Sequence, residues 1–171
     1  MAFTQLNSFL LTTDGRLFSW GAITYCLGRK VTHNKISGGG FAANKATASI
    51  EHNKSQLADI GEIEFGAPIV KIATGRSHVL ALDSRGKVWS WGANDKGQLG
   101  QALDTSSTRD TPQRIAKLKD IVQVYCGEHG SFAVDSSGDI YGWGSNKNNI
   151  LLVNQPEKGI VKTIAEEPML L

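Results

Sequence analysis

The chain has 171 residues, of which 40% are hydrophobic and 20% are charged. This composition is typical of a folded domain and excludes a disordered chain, a collagen or a coiled coil. The formal net charge of +2 is too small for nucleic-acid binding driven by bulk charge, so a partner must be recognised locally. No apolar run approaches the roughly 18 to 20 residues of a membrane span, and residues 1–15 lack the features of a secretory signal. We therefore expect an intracellular setting.

Three segments of the chain repeat one pattern, in which an apolar run, a polar turn with glycine and an alternating strand end in Trp-Gly. They span residues 11–21, 82–92 and 134–144. Trp91 and Trp143 lie 52 residues apart, as do Gly86 and Gly138, whereas the step from the first copy to the second is 71 residues. Each segment predicts a β-hairpin, because a short hairpin loop needs a left-handed residue and only glycine adopts that conformation without steric cost.

A further strand is predicted before each of the last two hairpins, at residues 69–73 and 121–125, and no helical periodicity of comparable strength is present. The repeating unit is therefore a small antiparallel sheet. About four short strands cannot bury both faces of a sheet, so units of roughly 50 residues are expected to stack, and radial stacking gives a β-propeller. Trp20, Trp91 and Trp143 should then occupy equivalent, largely buried positions between neighbouring sheets.

The second copy carries a family resemblance. Residues 70–82 contain Gly-x-x-His-x-x-Ala-Leu, and residues 91–100 continue with Trp-Gly-x-Asn and Gly-Gln-Leu-Gly. This order of motifs resembles a nearly complete repeat of the regulator of chromosome condensation family. The third copy keeps Trp-Gly-Ser-Asn but has His129 one place early, and the first copy has Asn7 at the histidine position. The resemblance covers about residues 4–28 and 66–165.

The resemblance implies an all-β fold of three antiparallel blades of a β-propeller of the regulator-of-chromosome-condensation type. This propeller is incomplete, because the family's propellers typically have seven blades. We expect one partial propeller domain over residues 1–171, with repeat copies at about 1–28, 66–118 and 119–158 and the start of a fourth copy at 159–171. Both ends fall within a repeat, so we interpret the chain as a fragment of a longer protein. The alternatives are a small open array and a part-propeller completed by further repeats or by other chains.

Residues 29–62 interrupt the repeat and are predicted to be a basic insertion. Its centre, residues 41–50, is predicted to form a short helix or strand. A long surface loop costs little extra closure entropy, and insertions that project from a rigid scaffold are also places where function resides. The sequence leaves both interpretations open, a loop without function and a partner-binding segment.

No catalytic, metal or cofactor site is predicted. Ser77 and His78 are neighbours on a predicted strand and point to opposite faces, so they cannot form a hydrolase triad with Asp83. His78 is instead expected to form a hydrogen bond with the backbone near a turn. The histidines and cysteines lack metal-ligand or disulfide-framework spacing, and Gly38-Gly39-Gly40 lacks the Lys-Ser/Thr of a phosphate-binding loop.

We expect an interaction scaffold that binds another protein without covalent chemistry. The alternative, implied by the family resemblance, is guanine-nucleotide exchange on a small GTPase of the Ran or Rab type, which needs only protein contacts that stabilise the nucleotide-free GTPase. The absence of a basic tail favours the cytoplasm over the nucleus. Partner-binding residues are predicted in loops beside the motifs, where charged side chains share one rim: Arg76, Asp95, Lys96, Glu128 and Lys147.

Overall fold

The computed structural model describes residues 1–31, 58–102, 106–147, 151 and 164–171. These residues form three four-stranded antiparallel sheets and a short 3-10 helix at Thr24–Cys26. In each sheet the strands lie in chain order, so each strand pairs with its neighbours in the sequence. The predicted all-β fold of three antiparallel blades is confirmed. The predicted element at residues 41–50 and the triple-glycine segment before it lie outside the described residues.

The three sheets follow one another along the chain. The first contains β1 (Ala2–Phe3), β2 (Asn7–Leu11), β3 (Leu17–Gly21) and β4 (Ala58–Ile63). The second contains β5 (Ile69–Thr74), β6 (His78–Asp83), β7 (Val88–Ala93) and β8 (Thr108–Arg114). The third contains β9 (Ile121–Cys126), β10 (Gly130–Asp135), β11 (Ile140–Ser145) and β12 (Ile164–Leu170). The strands predicted before the last two hairpins are β5 and β9.

The central hairpin has the same register in each sheet. The residue pairs that mark its open end are Asn7 with Gly21, His78 with Gly92, and Gly130 with Gly144. Asn7 and Gly130 therefore stand where His78 stands in the second sheet, and His129 lies one place before this position, as the sequence indicated. At the closed end of the second hairpin, Gly86 has a φ of +72°, the left-handed conformation that its turn requires.

A polar side chain closes each hairpin turn. Asp83 Oδ1 accepts hydrogen bonds from the backbone N–H groups of Arg85 (2.9 Å) and Lys87 (3.0 Å), and Asp135 makes the same two bonds one repeat later. In the first sheet Thr12 takes this position. Its Oγ1 accepts a hydrogen bond from the backbone N–H of Arg16 (3.0 Å). These local bonds explain the turn aspartates without a catalytic role.

The outer strands change two sequence-based boundaries. Because β4 is the fourth strand of the first sheet, residues 58–62 of the predicted insertion belong to the repeat. β12 pairs with β11, with Met169 opposite Gly142 and Ala165 opposite Gly144. Residues 164–170 therefore complete the third sheet and do not start a fourth copy. The physical reason is that β12 supplies hydrogen-bond partners to an edge of β11 that would otherwise be unpaired.

The core lies between stacked sheets. Side chains from the first two sheets form one buried cluster that includes Phe9 and Trp91. Side chains from the second and third sheets form another, which includes Leu80 and Trp143. Each boundary between neighbouring sheets is thus a buried interface, as the repeat period predicted.

A tryptophan in the second sheet and one in the third each form a hydrogen bond to the preceding repeat. Trp91 Nε1 donates a hydrogen bond to the carbonyl of Cys26 (2.9 Å), and Trp143 Nε1 donates one to the carbonyl of Gln98 (3.0 Å). Both indoles are fully buried. Trp20 is only half-buried, which corrects the expectation of three equivalent buried positions. The difference arises because the described residues place no preceding sheet against Trp20.

Candidate functional site

All five predicted partner-binding residues are exposed and lie in loops at one end of the sheets. Arg76 and Glu128 lie between the first and second strands of their sheets, whereas Asp95, Lys96 and Lys147 follow the third strands. In an antiparallel sheet in chain order, the loops after the first and third strands share one end. This end, opposite the glycine turns, is the loop rim.

Gln5, Arg76 and Glu128 connect successive sheets at the loop rim. The backbone N–H of Gln5 donates a hydrogen bond to the carbonyl of Arg76 (3.1 Å), and the N–H of Arg76 donates one to the carbonyl of Glu128 (3.1 Å). Arg76 Nη1 lies 2.7 Å from Glu128 Oε1, and Arg76 Nε donates to Gln5 Oε1 at 3.4 Å. The paired side chains of Arg76 and Glu128 are 51% and 63% exposed. An ion pair this exposed adds little stability, but it fixes two accessible charges across a sheet boundary.

Asp95 and Lys96 lie in a loop that is held by its own hydrogen bonds. Gln98 Nε2 donates to Asp95 Oδ1 (3.1 Å), and the N–H of Lys96 donates to Gln98 Oε1 (2.8 Å). Asn94 Oδ1 accepts a bond from the N–H of the buried Leu99 (3.1 Å). The Trp-Gly-x-Asn and Gly-Gln-Leu-Gly motifs thus have a structural role, which is to position the charged pair Asp95–Lys96 (3.2 Å) at the loop rim.

The third sheet starts the equivalent loop in the same way. Asn146 Oδ1 accepts a hydrogen bond from the N–H of Leu151 (3.0 Å), and Leu151 is buried like Leu99. Lys147 therefore stands one repeat after Asp95 and carries the opposite charge. At both equivalent positions, 76/128 and 95/147, the charge changes sign from the second sheet to the third.

Glu128 is the residue on which several positive groups act. A hydrogen bond from Arg76, followed by the charge of His129, lowers the pKa of the Glu128 carboxyl, and Lys147 contributes in the same direction. His129 Nε2 lies 3.7 Å from Glu128 Oε1. The structure therefore brings Arg76, Glu128 and Lys147 of the predicted set close together, with His129 among them.

Asp95 joins this group electrostatically from the second sheet. Partial burial acts to raise its pKa, but hydrogen bonds from Gln98 and Lys96 outweigh that effect, and the pKa lies below its ordinary value. His129 contributes to the lowering. His129 of the third sheet thus lowers the pKa of one carboxyl group in each of the two sheets.

Gln5 and His129 are not among the residues predicted from the sequence. Gln5 lies 71 residues before Arg76, and Glu128 lies 52 residues after it. The repeat steps were therefore the signal that could have identified Gln5. His129 gave no such signal, because its importance comes from side chains that approach it from other loops.

The structure does not assemble a hydrolase triad from Ser77, His78 and Asp83. His78 is fully buried, and its Nε2 lies 3.0 Å from Ser131 Oγ. Burial, followed by the charge of His129, lowers the pKa of His78 to about 4. Asp83 lies at the other end of β6, where its Oδ2 accepts a bond from Trp89 Nε1 (3.1 Å). His78 thus contacts a side chain of the next sheet, and its Nδ1 forms no hydrogen bond with the described residues. The hydrogen bond expected between its ring and the backbone near a turn is therefore not formed.

The described ranges contain neither a membrane-spanning helix nor a cluster of metal ligands. No helix there is long and apolar enough to cross a membrane. No three histidine, cysteine, aspartate or glutamate side chains among these residues group together in a way that could hold a metal ion.

The stacked four-stranded sheets, their common register and the 52-residue step define a segment of a repeat-built β-propeller. The family model for the regulator of chromosome condensation (RCC1) repeat matches residues 85–134, and a second model with the same description matches residues 69–98 and 121–150. The chain therefore belongs to the family of RCC1-repeat proteins, and the predicted resemblance is confirmed.

Named relatives share this sequence over most of the chain. Protein pim1 of Schizosaccharomyces pombe is 34% identical over 155 residues, which are 83% of this chain and 26% of pim1. The serine/threonine-protein kinase Nek9 of Xenopus laevis is 32% identical over 154 residues, which are 88% of this chain and 14% of Nek9. The chain thus spans about a quarter or less of the length of these relatives.

Solved structures share the fold. Prp20p of Saccharomyces cerevisiae matches with a TM-score of 0.70 at 21% identity, over 99% of this chain and 37% of that one. The structure of Kap60 bound to yeast RCC1 (Prp20) matches with a TM-score of 0.69 at 24% identity, over 99% of this chain and 36% of that one. At these identities the likeness concerns the fold.

Proposed function

We propose that the chain is a protein-interaction scaffold that binds its partner through the loop rim. The observation that carries the proposal is a set of exposed charges at this rim. Backbone hydrogen bonds between the sheets and the buried residues Leu99 and Leu151 hold the loops that carry these charges. Arg76 and Glu128 are fixed across a sheet boundary, and Asp95 and Lys96 are fixed by the Gln98 loop. Charges placed in this way give a partner a preorganised pattern to recognise, which favours specificity and fast association.

The relatives support a binding role. Yeast Prp20 is bound to Kap60 in one structure, and the other structure is described together with its binding properties to Gsp1p and histones. The same repeat occurs in pim1 and in a protein kinase. A module present in proteins of different chemistry is more simply a binding element than an active site.

We also propose an intracellular location, with the cytoplasm favoured over the nucleus. Both cysteines, Cys26 and Cys126, are unpaired, and unpaired thiols are typical of reducing compartments. Imaging of the tagged chain in intact cells tests this location, and exclusive nuclear signal contradicts it.

A charge-swapped variant tests the scaffold proposal. It combines Arg76→Glu with Glu128→Arg, Asp95→Lys with Lys96→Asp, and the single change Lys147→Glu. Each ion pair is kept with its polarity reversed. Asp95→Lys removes one acceptor for Gln98, but the loop keeps its bonds from the residue 96 N–H to Gln98 and from the Leu99 N–H to Asn94. The fold should therefore survive while the charge pattern offered to a partner is inverted. The protein that the wild-type chain enriches from a cytosolic extract is then purified, and its direct binding to both chains is measured. We expect the variant to bind it at least about tenfold more weakly, equivalent to about 1.4 kcal/mol.

The matched control changes charges at the opposite end and outer edge of the sheets. Lys117→Glu with Glu167→Lys reverses another exposed ion pair, and Lys119→Glu gives the same net change as the test variant. This control should bind the purified partner like the wild type. Equal binding of that partner by the wild type and the charge-swapped variant contradicts the proposed role of the loop rim.

The likeness to Prp20, whose binding to Gsp1p is described, favours a second candidate. We propose it as guanine-nucleotide exchange on a small GTPase of the Ran or Rab type. Exchange needs protein contacts that stabilise the nucleotide-free GTPase at the expense of its nucleotide contacts, and no acid, base or nucleophile of the chain takes part. Nucleotide-release kinetics separate exchange from simple binding.

A further inference from the structure

A cleft of about 390 Å³ lies between the first and second sheets, away from the loop rim. Its walls come from the segment that joins these sheets, including Glu64, Phe65 and Gly66, and from the strands of the second sheet, including Trp89 and Pro112. The volume falls within the range of about 300 to 1,000 Å³ that is usual for ligand sites. One side chain of a partner fits such a space.

The apolar part of the cleft is a pair of aromatic rings. Phe65 and Trp89 meet edge to face, with ring centroids 5.8 Å apart and an interplanar angle of 73°. Both are half-buried, so each keeps a surface toward the cleft. Trp89 is held in place by its Nε1 bond to Asp83. Where part of an indole face is accessible, it attracts cations.

The charged groups of the cleft leave one carboxylate available. Glu62 is occupied by Arg16, whose Nε and Nη2 donate to its two oxygens at 2.9 and 2.7 Å. Arg29 is occupied by the hydroxyl and carbonyl of Ser19 and by a further carbonyl. Glu64 is exposed, and in the described part of the chain it forms no ion pair.

We propose that this cleft binds an arginine side chain of a partner protein. The guanidinium would stack on Trp89 and donate two hydrogen bonds to the Glu64 carboxylate, and its methylene stem would pack against Phe65 and Pro112. Arginine fits better than lysine, because a planar guanidinium both stacks on aromatic rings and pairs with a carboxylate through two bonds. The proposal rests on the scaffold function, and it names what a partner would insert between the sheets.

Titration of the full chain with short peptides tests the proposal. The probe is acetyl-Gly-Ser-Arg-Ser-Gly-amide, and the signal is the indole N–H resonance of Trp89 in the isotope-labelled protein, assigned by its loss in Trp89→Phe. We expect a saturable shift. The peptide with citrulline in place of arginine has the same shape without the charge and should bind at least about tenfold more weakly. The lysine peptide should also bind more weakly than the arginine peptide.

Two variants address the site from different sides. Glu64→Gln should weaken arginine binding about three- to tenfold, and Glu166→Gln, an exposed carboxylate on β12, should leave it unchanged. Gly66→Leu should weaken binding, because Gly66 lines the cleft and a Cβ there meets no atom within 4 Å, so the larger side chain is added without displacing backbone. Glu64 and Gly66 are both exposed, so neither substitution replaces a buried residue.

The outcomes separate this proposal from the scaffold function. No saturable shift, equal binding of the citrulline or lysine peptide, or unchanged binding by Glu64→Gln and Gly66→Leu each overturns the arginine cleft. The scaffold function stands if the charge-swapped rim still loses the purified partner while the cleft fails. Loss of partner binding in Gly66→Leu together with arginine binding in the wild type supports both.

Discussion

Replacing Trp91 with alanine tests the contact that fastens the first two sheets together. The indole is fully buried, packs edge-on against Phe9 with ring centroids 6.3 Å apart, lies 6.1 Å from Phe65, and donates Nε1 to the Cys26 carbonyl. Removing a large buried aromatic side chain costs about 3 to 5 kcal/mol. The carbonyl that loses its donor adds to this cost. Since a domain is stable by only about 5 to 15 kcal/mol, the variant should unfold at much lower urea concentration.

Urea unfolding followed by far-UV circular dichroism measures this loss as a change in the free energy of unfolding. Trp91→Phe keeps an aromatic ring but removes the donor, so its smaller loss remains measurable if Trp91→Ala does not fold. Trp20→Ala is the matched control, because Trp20 has the same place in the repeat but is half-buried. We expect it to lose less than half as much stability as Trp91→Ala. A loss under about 1 kcal/mol for Trp91→Ala, or equal losses at both sites, refutes the reasoning.

Other buried or bonded groups give independent tests. Asp83→Ala removes the acceptor of two turn N–H groups and should cost about 1 to 3 kcal/mol in urea unfolding, whereas alanine at the exposed Asp139 should change stability by less than about 0.5 kcal/mol. Burial, followed by the charge of His129, lowers the pKa of His78 to about 4, below its ordinary value of 6.5. The unfolded chain therefore binds more protons between these values, so stability should fall as the pH drops from 6.5 to about 4, and His78→Asn should flatten that slope. An unchanged slope contradicts this burial of a neutral histidine. Burial raises the pKa of Cys26 to about 12 and also raises that of Cys126. At about pH 8 neither thiol should therefore react with an aromatic disulfide until urea unfolds the chain. Rapid reaction of the native protein contradicts this prediction.

The hairpins and their stacking could be predicted because their signals are local and repeated. An aspartate or threonine, a glycine turn and an alternating strand lie within about a dozen residues of one another, and the 52-residue step places Trp91 and Trp143 in equivalent surroundings. Both indoles are buried against the preceding sheet. Local turn chemistry and side-chain alternation therefore determined the fold class.

The outer strands gave no comparable signal. β8 has the sequence Thr-Arg-Asp-Thr-Pro-Gln-Arg, and none of its residues is buried. An outermost strand has one neighbour in its sheet and faces solvent, so it needs no apolar alternation, and it tolerates proline because one row of its backbone groups is unpaired. β12 likewise contains Pro168. The sequence assigned residues of β12 to a new copy because residues 159–165 resemble residues 67–73.

Burial of a repeated residue depends on a neighbour that the motif does not encode. Trp20, Trp91 and Trp143 share one motif. Among the described residues, only Trp91 and Trp143 have a preceding sheet to pack against. The motif specifies the direction of the indole. It also specifies a register shift beside the indole, where the third strand of each sheet pairs with the fourth, at Ser19/Gly21, Ser90/Gly92 and Gly142/Gly144. The packing partner comes from another repeat.

The candidate site could be located in part. Charged residues beside the motifs predicted the loops that form the rim, and the structure places all five at one end of the sheets. The ion pair between Arg76 and Glu128, its contact with Gln5 and the place of His129 are products of stacking. The steps of 52 and 71 residues are present in the sequence, but these side-chain contacts form only when the repeats stack.

The most direct test is whether the protein binds a partner without catalysing nucleotide exchange. The measurement is release of a labelled guanine nucleotide from purified Ran-type and Rab-type GTPases, with and without excess chain. A family propeller acting on a GTPase would engage it through loops of several blades, and the described residues supply three sheets. A few central residues dominate such interfaces, so missing loops cost more than their share of area. We therefore predict less than about tenfold stimulation of release, equivalent to about 1.4 kcal/mol. Stimulation of about a hundredfold, equivalent to about 2.7 kcal/mol off the barrier, would contradict the scaffold as the primary function.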